Sequence, residues 1–461
     1  MAGIGYTIGN LLVKGLAFLT IPIFSRLMST ADYGIYNTFM AYSSILTIIV
    51  GLALHSSVKN AKYDFKGRLA EYSSSVVLLI IFNAVLLLAL AICFSSWLSE
   101  WTGLNALILA LLVAESFGNA ILTFYNSKLA LDYVYKEYLC LAGFHAVASV
   151  VLSLIFIWLL PDGKAYAGRI FGAVIPLLLI SAYIMIRLFR SARPKVSPLY
   201  WKYGCKISLP LIPHGLSQIA LSQFDRIMIN NTLGPSDAGL YSFAYNIGII
   251  LQVISSSLDS VWTPWFFEQY SRGDLEKIRK TSAGYVLIFA SITVLVLLVS
   301  PEMIMILGSR EYWPSREVVV PIVLSMFFAF MYTLPSIVEY FYKRTQLISL
   351  GTVCAAVLNI ILNFIFIPMY GYTAAAYTTL VCYLLYFIFH ILIARKIAGY
   401  HVYNIRMLAG VCAAVCMFGA FALIFLDNMI VRLVMFAVVF AAVCIVLYRN
   451  RRAILELIRK K

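Results

Sequence analysis

The chain has 461 residues, of which 62% are hydrophobic and only 12% charged, and its mean hydropathy is +0.91. This composition excludes a soluble domain and is typical of a protein that crosses a membrane many times. The net charge of +15 requires no nucleic-acid partner if the basic residues orient the chain and meet anionic lipid. The eight cysteines lie in hydrophobic stretches or near their inner ends, so neither a disulfide, a metal site nor a cofactor is expected.

Hydrophobic stretches of about 20 residues, the length needed to span a bilayer, recur along the whole chain. They predict an all-α integral membrane protein with about fourteen transmembrane helices, whose approximate limits are 4–27, 33–58, 72–96, 104–126, 138–160, 166–187, 207–233, 237–264, 281–300, 317–340, 347–368, 373–394, 407–426 and 430–448. With the N-terminus inside, 27 of the 35 lysines and arginines fall in the inner segments. This bias predicts a multi-pass protein of the bacterial plasma (inner) membrane with both ends in the cytoplasm.

Two short turn sequences suggest an internal repeat. MSTADYGIYN at 28–37 matches LGPSDAGLYS at 233–242, and the shared Asp, Gly and Tyr align at an offset of 205 residues. A second pair of segments, 161–170 and 368–377, aligns at an offset of 207. Near-equal offsets predict two copies of one six-helix unit, and spans 1 and 7 run the same way, so the copies are parallel repeats.

The repeat gives a predicted domain organisation. The N-terminal six-helix lobe covers 1–195 and the second lobe covers 196–400. Residues 401–461 hold two additional helices and a basic cytoplasmic tail. In each repeated turn the aspartate, Asp32 or Asp237, is expected to cap the following helix and to be structural.

The seventh span carries a polar stripe. His214, Gln218, Ser222 and Arg226 recur every four residues and therefore lie on one helix face. An arginine at membrane depth costs about 2.5–3.5 kcal/mol on insertion scales, so this face meets protein or a water-filled cavity. We interpret the stripe as the wall of a transport path; the alternative is a stripe buried in helix packing.

The first span is the repeat partner of the seventh and is also polar at depth. Asn10 and Lys14 are four residues apart, and Lys14 lies about ten residues from either end of its span. A lysine so deep cannot easily reach the interface. Lys14 and Arg226 therefore predict a cationic cavity between the lobes, which suits an anionic substrate.

Three acidic residues lie inside predicted spans. Glu115, Asp225 and Asp259 are candidates for binding a coupling ion, H+ or Na+, since an ionisable residue in a membrane is functional by default. An Asp–Arg structural pair is the alternative for Asp225. The chain has no phosphate-binding loop of the G-x-x-x-x-G-K-[ST] type, so the energy for transport is expected to come from a gradient.

Three segments resemble a known family. GNLLVKGLAFLTIPIFSRLMSTADYGIYNTF at 9–39, FDRIMINNTLGPSDAGLYSFAYNIG at 224–248 and LNIILNFIFIPMYGYTAAAYTTLVCY at 358–383 are similar to segments of the bacterial polysaccharide-biosynthesis and O-antigen flippases. These belong to the multidrug/oligosaccharidyl-lipid/polysaccharide (MOP) exporter superfamily. The resemblance implies two six-helix lobes, a central cationic cavity and alternating access. It also implies an undecaprenyl-pyrophosphate-linked oligosaccharide as cargo, with Lys14 and Arg226 meeting the pyrophosphate or an acidic sugar.

The leading hypothesis is a flippase for lipid-linked oligosaccharide, not an enzyme, with a polysaccharide polymerase and a chain-length regulator as further partners. One alternative is a MATE-like drug or cation antiporter, which predicts acidic rather than cationic cavity residues. Another is a membrane polymerase or ligase, which needs a large outer loop or a carboxylate cluster. A flippase for the peptidoglycan precursor is a further alternative.

Overall fold

The structure is a computed structural model that describes Gly15, residues 18–161 and residues 163–449. All regular secondary structure in these residues is helical. The helices are α1 (Phe18–Leu27), α2 (Thr30–Gly51), α3 (Val58–Asp64), α4 (Leu69–Cys93), α5 (Ser95–Thr102), α6 (Ala106–Leu131), α7 (Tyr135–Leu159), α8 (Ala165–Ser191), α9 (Pro198–Ser208), α10 (Ile212–Leu233), α11 (Pro235–Ser271), α12 (Leu275–Leu307), α13 (Arg316–Met331), α14 (Thr333–Phe341), α15 (Thr345–Tyr370), α16 (Tyr372–Ala398), α17 (Ile405–Ile424) and α18 (Met429–Arg449).

Twelve helical segments within the described ranges are long and apolar enough to cross a membrane. A short 3-10 helix at Arg310–Ser315, α13 and α14 together form one of them, Arg310–Phe341. The two other predicted spans correspond to α1, of which a ten-residue apolar part is described, and to α10, which is more polar. The prediction of an all-helical multi-pass membrane protein is therefore confirmed.

The chain divides into two compact units. Unit 1 contains the described residues of Met1–Ser242 together with Thr352–Ala375. Unit 2 contains Phe243–Gly351 together with the described residues of Ala376–Lys461.

The first repeated turn forms a helix cap in unit 1. Ser29, rather than Asp32, is the N-cap of α2, and its hydroxyl accepts from the Asp32 amide at 3.1 Å. The Ser29 hydroxyl also donates to the Asp32 carboxylate at 2.7 Å, and the Tyr166 amide donates to the same carboxylate at 3.3 Å. Asp32 therefore supports the cap without being the cap residue. A side chain at the third helical position can reach back across the first turn.

The two repeated turns meet in unit 1. The Thr30 and Ser236 hydroxyls are 2.7 Å apart, which joins the first turns of α2 and α11. A Cβ on Gly34 would overlap the Pro235 carbonyl, and one on Gly239 would overlap the Thr30 carbonyl. The glycine shared by both turns is therefore required for backbone to lie against backbone.

Helix α9 is bound to the rest of unit 1 by polar contacts. The Trp201 indole donates to the Ser75 carbonyl at 2.8 Å, and the Tyr203 hydroxyl donates to Asp64 at 2.5 Å. Burial, followed by the hydrogen bond to Asp64, raises the pKa of the Tyr203 phenol. These bonds fix the segment that leads into α10.

Unit 2 has an aromatic core and an ion pair that holds its last helices. The Phe289 and Phe330 rings stack with centroids 3.9 Å apart. Arg432, at the start of α18, binds Glu302 of α12 and the carbonyls of Phe425 and Leu426. The guanidinium thereby joins the α17–α18 turn to α12. It can do so because it is permanently charged and has several N–H groups to donate.

Candidate functional site

The predicted polar stripe lies on α10. His214, Gln218 and Ser222 are partly buried, and the Ser222 hydroxyl donates to the Gln218 carbonyl at 2.9 Å. Arg226 is 6% exposed, and its guanidinium donates to the Ser222 carbonyl at 3.3 Å and to the Gln223 amide oxygen. The helix thus carries a permanently charged group within unit 1.

Lys14, the other half of the predicted cationic pair, lies outside the described residues. The same holds for Asn10, its polar neighbour in the first span. Their place in the substrate site stays a prediction.

Asp225 is the centre of a buried polar network. It is 1% exposed, and its carboxylate accepts from the Tyr241 hydroxyl and from the Asn363 amide, each at 2.6 Å. The Asn363 amide also donates to Asn359 at 3.2 Å. The network joins α10, α11 and α15 within unit 1, and these two bonds to Asp225 fix the position of its carboxyl group.

Sequence reasoning found only part of this network. Asn359 and Asn363 are four residues apart in one span and so share a helix face, which was a usable signal. Tyr241 belongs to the repeated turn motif, and nothing in its local sequence indicated a bond to Asp225. That contact depends on how α10 and α11 pack.

A break in α2 creates a second polar region of unit 1. Leu52 and Ala53 have positive φ angles of 47° and 49°, which end the helix well before the predicted limit of residue 58. The Asn83 amide donates to the carbonyls of Ile49 and Val50 at 2.8 and 2.9 Å, and the Leu52 amide also donates to that of Ile49 at 3.3 Å. Broken helices are tolerated at membrane depth when such partners satisfy the backbone.

A cavity of about 330 Å³ adjoins this break. Its polar lining consists of side chains from α2, the turn after it and α6: Ser43, Ser44, Thr47, His55, Asn119 and Thr123. At ~30 Å³ per water, this volume is enough for roughly ten water molecules. The Ser43 hydroxyl is buried and has no hydrogen-bond partner among the described residues.

Glu115 lies behind the cavity wall. It is 2% exposed, and one carboxyl oxygen accepts from the Asn119 amide at 3.2 Å. Its other oxygen has no partner within the described ranges. Asn119 lines the cavity, so it connects this carboxyl to the polar space.

Asp259 lies on the part of α11 that belongs to unit 2. It is partly buried on α11 and bonds to Thr263, one turn further along. Nearby on α11, the Trp262 ring stacks on Tyr285 with centroids 4.5 Å apart. Burial raises the pKa of the neighbouring Tyr403 well above its usual range, and the charges of Tyr270, Tyr285 and Asp259 add to this shift. Of the three acidic candidates, Glu115 and Asp225 thus belong to unit 1 and Asp259 to unit 2.

The family of the chain follows from a match over more than half its length. Residues 2–270 match the model of a family described as polysaccharide biosynthesis protein. The chain belongs to this family. A protein of the Lsg locus of Haemophilus influenzae is 22% identical over 77% of this chain and 88% of the relative.

Solved structures show the same fold. The lipid II flippase MurJ in an inward closed conformation matches with a TM-score of 0.77 and 14% identity, over 97% of this chain and 99% of that one. An inward-facing multidrug resistance MATE family transporter of the MOP superfamily matches with a TM-score of 0.65 and 15% identity, over 85% and 98%. The predicted membership of a polysaccharide-biosynthesis family is confirmed by the family match, and the two solved structures that share the fold are described as a flippase and a transporter.

Proposed function

We propose that this protein is a flippase for undecaprenyl-pyrophosphate-linked oligosaccharide repeat units of an O-antigen, capsule or exopolysaccharide. In this proposal it moves them from the cytoplasmic to the outer leaflet of the bacterial inner membrane, with both chain ends cytoplasmic. The observation that supports the proposal best is Arg226, a permanently charged and nearly buried side chain on the polar face of α10. A buried cation suits an anionic pyrophosphate or acidic sugar, in a family of polysaccharide biosynthesis proteins.

The proposed mechanism is alternating access between the two predicted six-helix lobes, 1–195 and 196–400, with 401–461 outside them. Arg226 and Lys14 bind the anionic part of the cargo, and Asn10, His214, Gln218 and Ser222 supply further polar contacts. Since the substrate site is charged, release needs a change that weakens these contacts.

We assign three carboxyls as candidates for binding a coupling H+ or Na+. Asp225 has the most developed surroundings, because two donors hold its carboxylate in place. Glu115 has an oxygen without a described partner behind a polar cavity, and Asp259 is half-buried in unit 2. A polysaccharide polymerase and a chain-length regulator are the proposed downstream partners.

Deletion of the gene in its native host tests the proposed cargo. The expected result is loss of surface polysaccharide, with completed undecaprenyl-linked repeat units retained on the cytoplasmic leaflet. Single units that reach the outer leaflet but stay unjoined would point to polymerisation instead. Intact glycan with altered drug sensitivity would place the protein with the drug exporters.

The cationic site has its own test in the same host. Arg226→Ala and Lys14→Ala are each expected to abolish export at unchanged protein level, because each removes a charge that meets the anionic cargo. Arg193→Ala, at an exposed position, is the matched control and should export normally. Normal export in both cavity variants would refute the site assignment.

A further inference from the structure

Unit 2 contains a buried pair of titratable side chains outside the proposed substrate site. Glu339 lies on α14 and His390 on α16, and both are 0% exposed. A Glu339 carboxyl oxygen is 2.5 Å from Nδ1 of His390. The two groups therefore share a hydrogen bond in a place that water does not reach.

The hydrogen bonding of this pair is incomplete within the described part of the chain. The second carboxyl oxygen of Glu339 and Nε2 of His390 are buried without partners there. The other buried pair of unit 2, Arg432 with Glu302, also has a carboxyl oxygen and a guanidinium nitrogen without described partners. It differs in that its arginine never loses its proton and also binds two carbonyls, whereas both members of the Glu339–His390 pair can exchange a proton.

Aromatic rings enclose the pair. The Tyr386, Phe389 and Tyr332 rings lie 4.5, 5.3 and 5.8 Å from the His390 ring. Tyr332 is also the residue that separates α13 from α14. The histidine therefore packs against the junction between α13 and α14. Pro335 lies in the first turn of α14, and a helix bends most easily near a proline.

Few other titratable groups surround the pair. Tyr340, on α14, lies within electrostatic range of Glu339 and of Asp259 on α11. Tyr332 and Tyr386 contribute phenols, and the cations of this region, Lys343 and Arg344, are solvent-exposed beyond the end of α14.

The electrostatics of such a pair favour one shared proton. With one proton the pair has no net charge, either as carboxylic acid and imidazole or as carboxylate and imidazolium. A second proton, or none, leaves a net charge in a dry site, which costs several kcal/mol. We propose that Glu339 and His390 form a proton-binding site that is sealed in this conformation and releases its proton when a conformational change admits water.

The direction of the pH dependence follows. In the proposed hydrated state the pair has released the proton that the sealed pair keeps, so rising pH favours the hydrated state. A difference of one proton shifts the equilibrium about tenfold per pH unit.

Pulsed electron resonance distances between spin labels test the proposal. The background is a chain in which all eight natural cysteines are replaced by alanine. The labels are attached at Lys136→Cys in unit 1 and Gln346→Cys in unit 2, which are both exposed positions, and the distance between them reports conformational change. In lipid nanodiscs, the ratio of the distance populations is expected to change about tenfold per pH unit, with the hydrated state favoured as the pH rises. Glu339→Gln/His390→Gln, which keeps a neutral hydrogen bond, should remove this response, whereas His401→Gln, a histidine outside the spans, should retain it.

A pH response that persists in the double variant, or one absent from the wild-type background, would overturn the proposal. If the double variant fails to fold, Glu339→Gln alone decides in the same way, because it leaves a neutral His390 that has no proton to release. The inference adds a coupling proton to the proposed flippase. Its test uses no substrate, so it can fail while the flippase proposal stands, and the reverse also holds.

Discussion

Replacing Asp225 is the most informative perturbation of unit 1, because its carboxylate accepts two buried hydrogen bonds. Tyr241 and Asn363 donate to it, each at 2.6 Å. Hydrogen bonds to a charged group are worth about 1.5–3 kcal/mol each, so Asp225→Ala should destabilise the protein by about 3–6 kcal/mol. The loss includes the cost of removing the Asp225 acceptor from a buried hydroxyl and a buried amide.

Asp225→Asn separates the charge from the hydrogen bonds. The amide oxygen can still accept from Asn363, while the amide nitrogen must donate to the Tyr241 oxygen. Neutral bonds contribute about 0.5–1.5 kcal/mol each, so the expected destabilisation is about 1–3 kcal/mol, well below that of the alanine variant. If Asp225 binds a coupling ion, this well-folded variant should lose export.

The stability assay is thermal unfolding in detergent. It measures, at each temperature, the fraction of the protein that remains monodisperse on size-exclusion chromatography. Tyr241→Phe removes only the phenol hydroxyl, so it should cost about half as much as Asp225→Ala, and the double variant should cost less than the sum. An Asp225→Ala protein as stable as wild type would refute the network. Export by Asp225→Asn at the wild-type level would end its role in coupling.

Three further predictions concern unit 1. Asn83→Leu leaves the Val50 carbonyl without its described donor, while the Ile49 carbonyl keeps the bond from the Leu52 amide, so we expect about 1–3 kcal/mol of destabilisation; unchanged thermal stability would contradict the proposed role of this amide. Gly34→Ala should prevent accumulation of folded protein in membranes, since its Cβ would overlap the Pro235 carbonyl. Gly410→Ala, whose Cβ meets open space, is the control and should be neutral or stabilising by up to about 1 kcal/mol. Glu115→Gln keeps the bond to Asn119 but removes the titratable proton, so folding should survive while any proton-driven part of export is lost, measured as export against pH.

The amino-acid sequence by itself determined the class of the protein and the position of most helices. Long apolar stretches can satisfy their backbone in a membrane only as helices, so their number and approximate limits can be read without a structure. The family was also accessible, because the segments at 9–39 and 224–248 carry its pattern. The four-residue spacing of His214, Gln218, Ser222 and Arg226 likewise placed them on one face of a helix before the packing was known.

The tertiary structure decided which polar residues share a site. The bonds of Asp225 to Tyr241 and Asn363 join segments up to 138 residues apart, and no local pattern encodes such a distance. The early end of α2 depended on the left-handed Leu52 and Ala53, which read as ordinary apolar residues of a continuous span. The role proposed for His390 could not be predicted from the sequence for a related reason. It depends on the hydrogen bond to the Glu339 carboxyl, which lies on another helix. Periodicity along the chain fixes the face on which a side chain lies, whereas its partner depends on the packing of another helix.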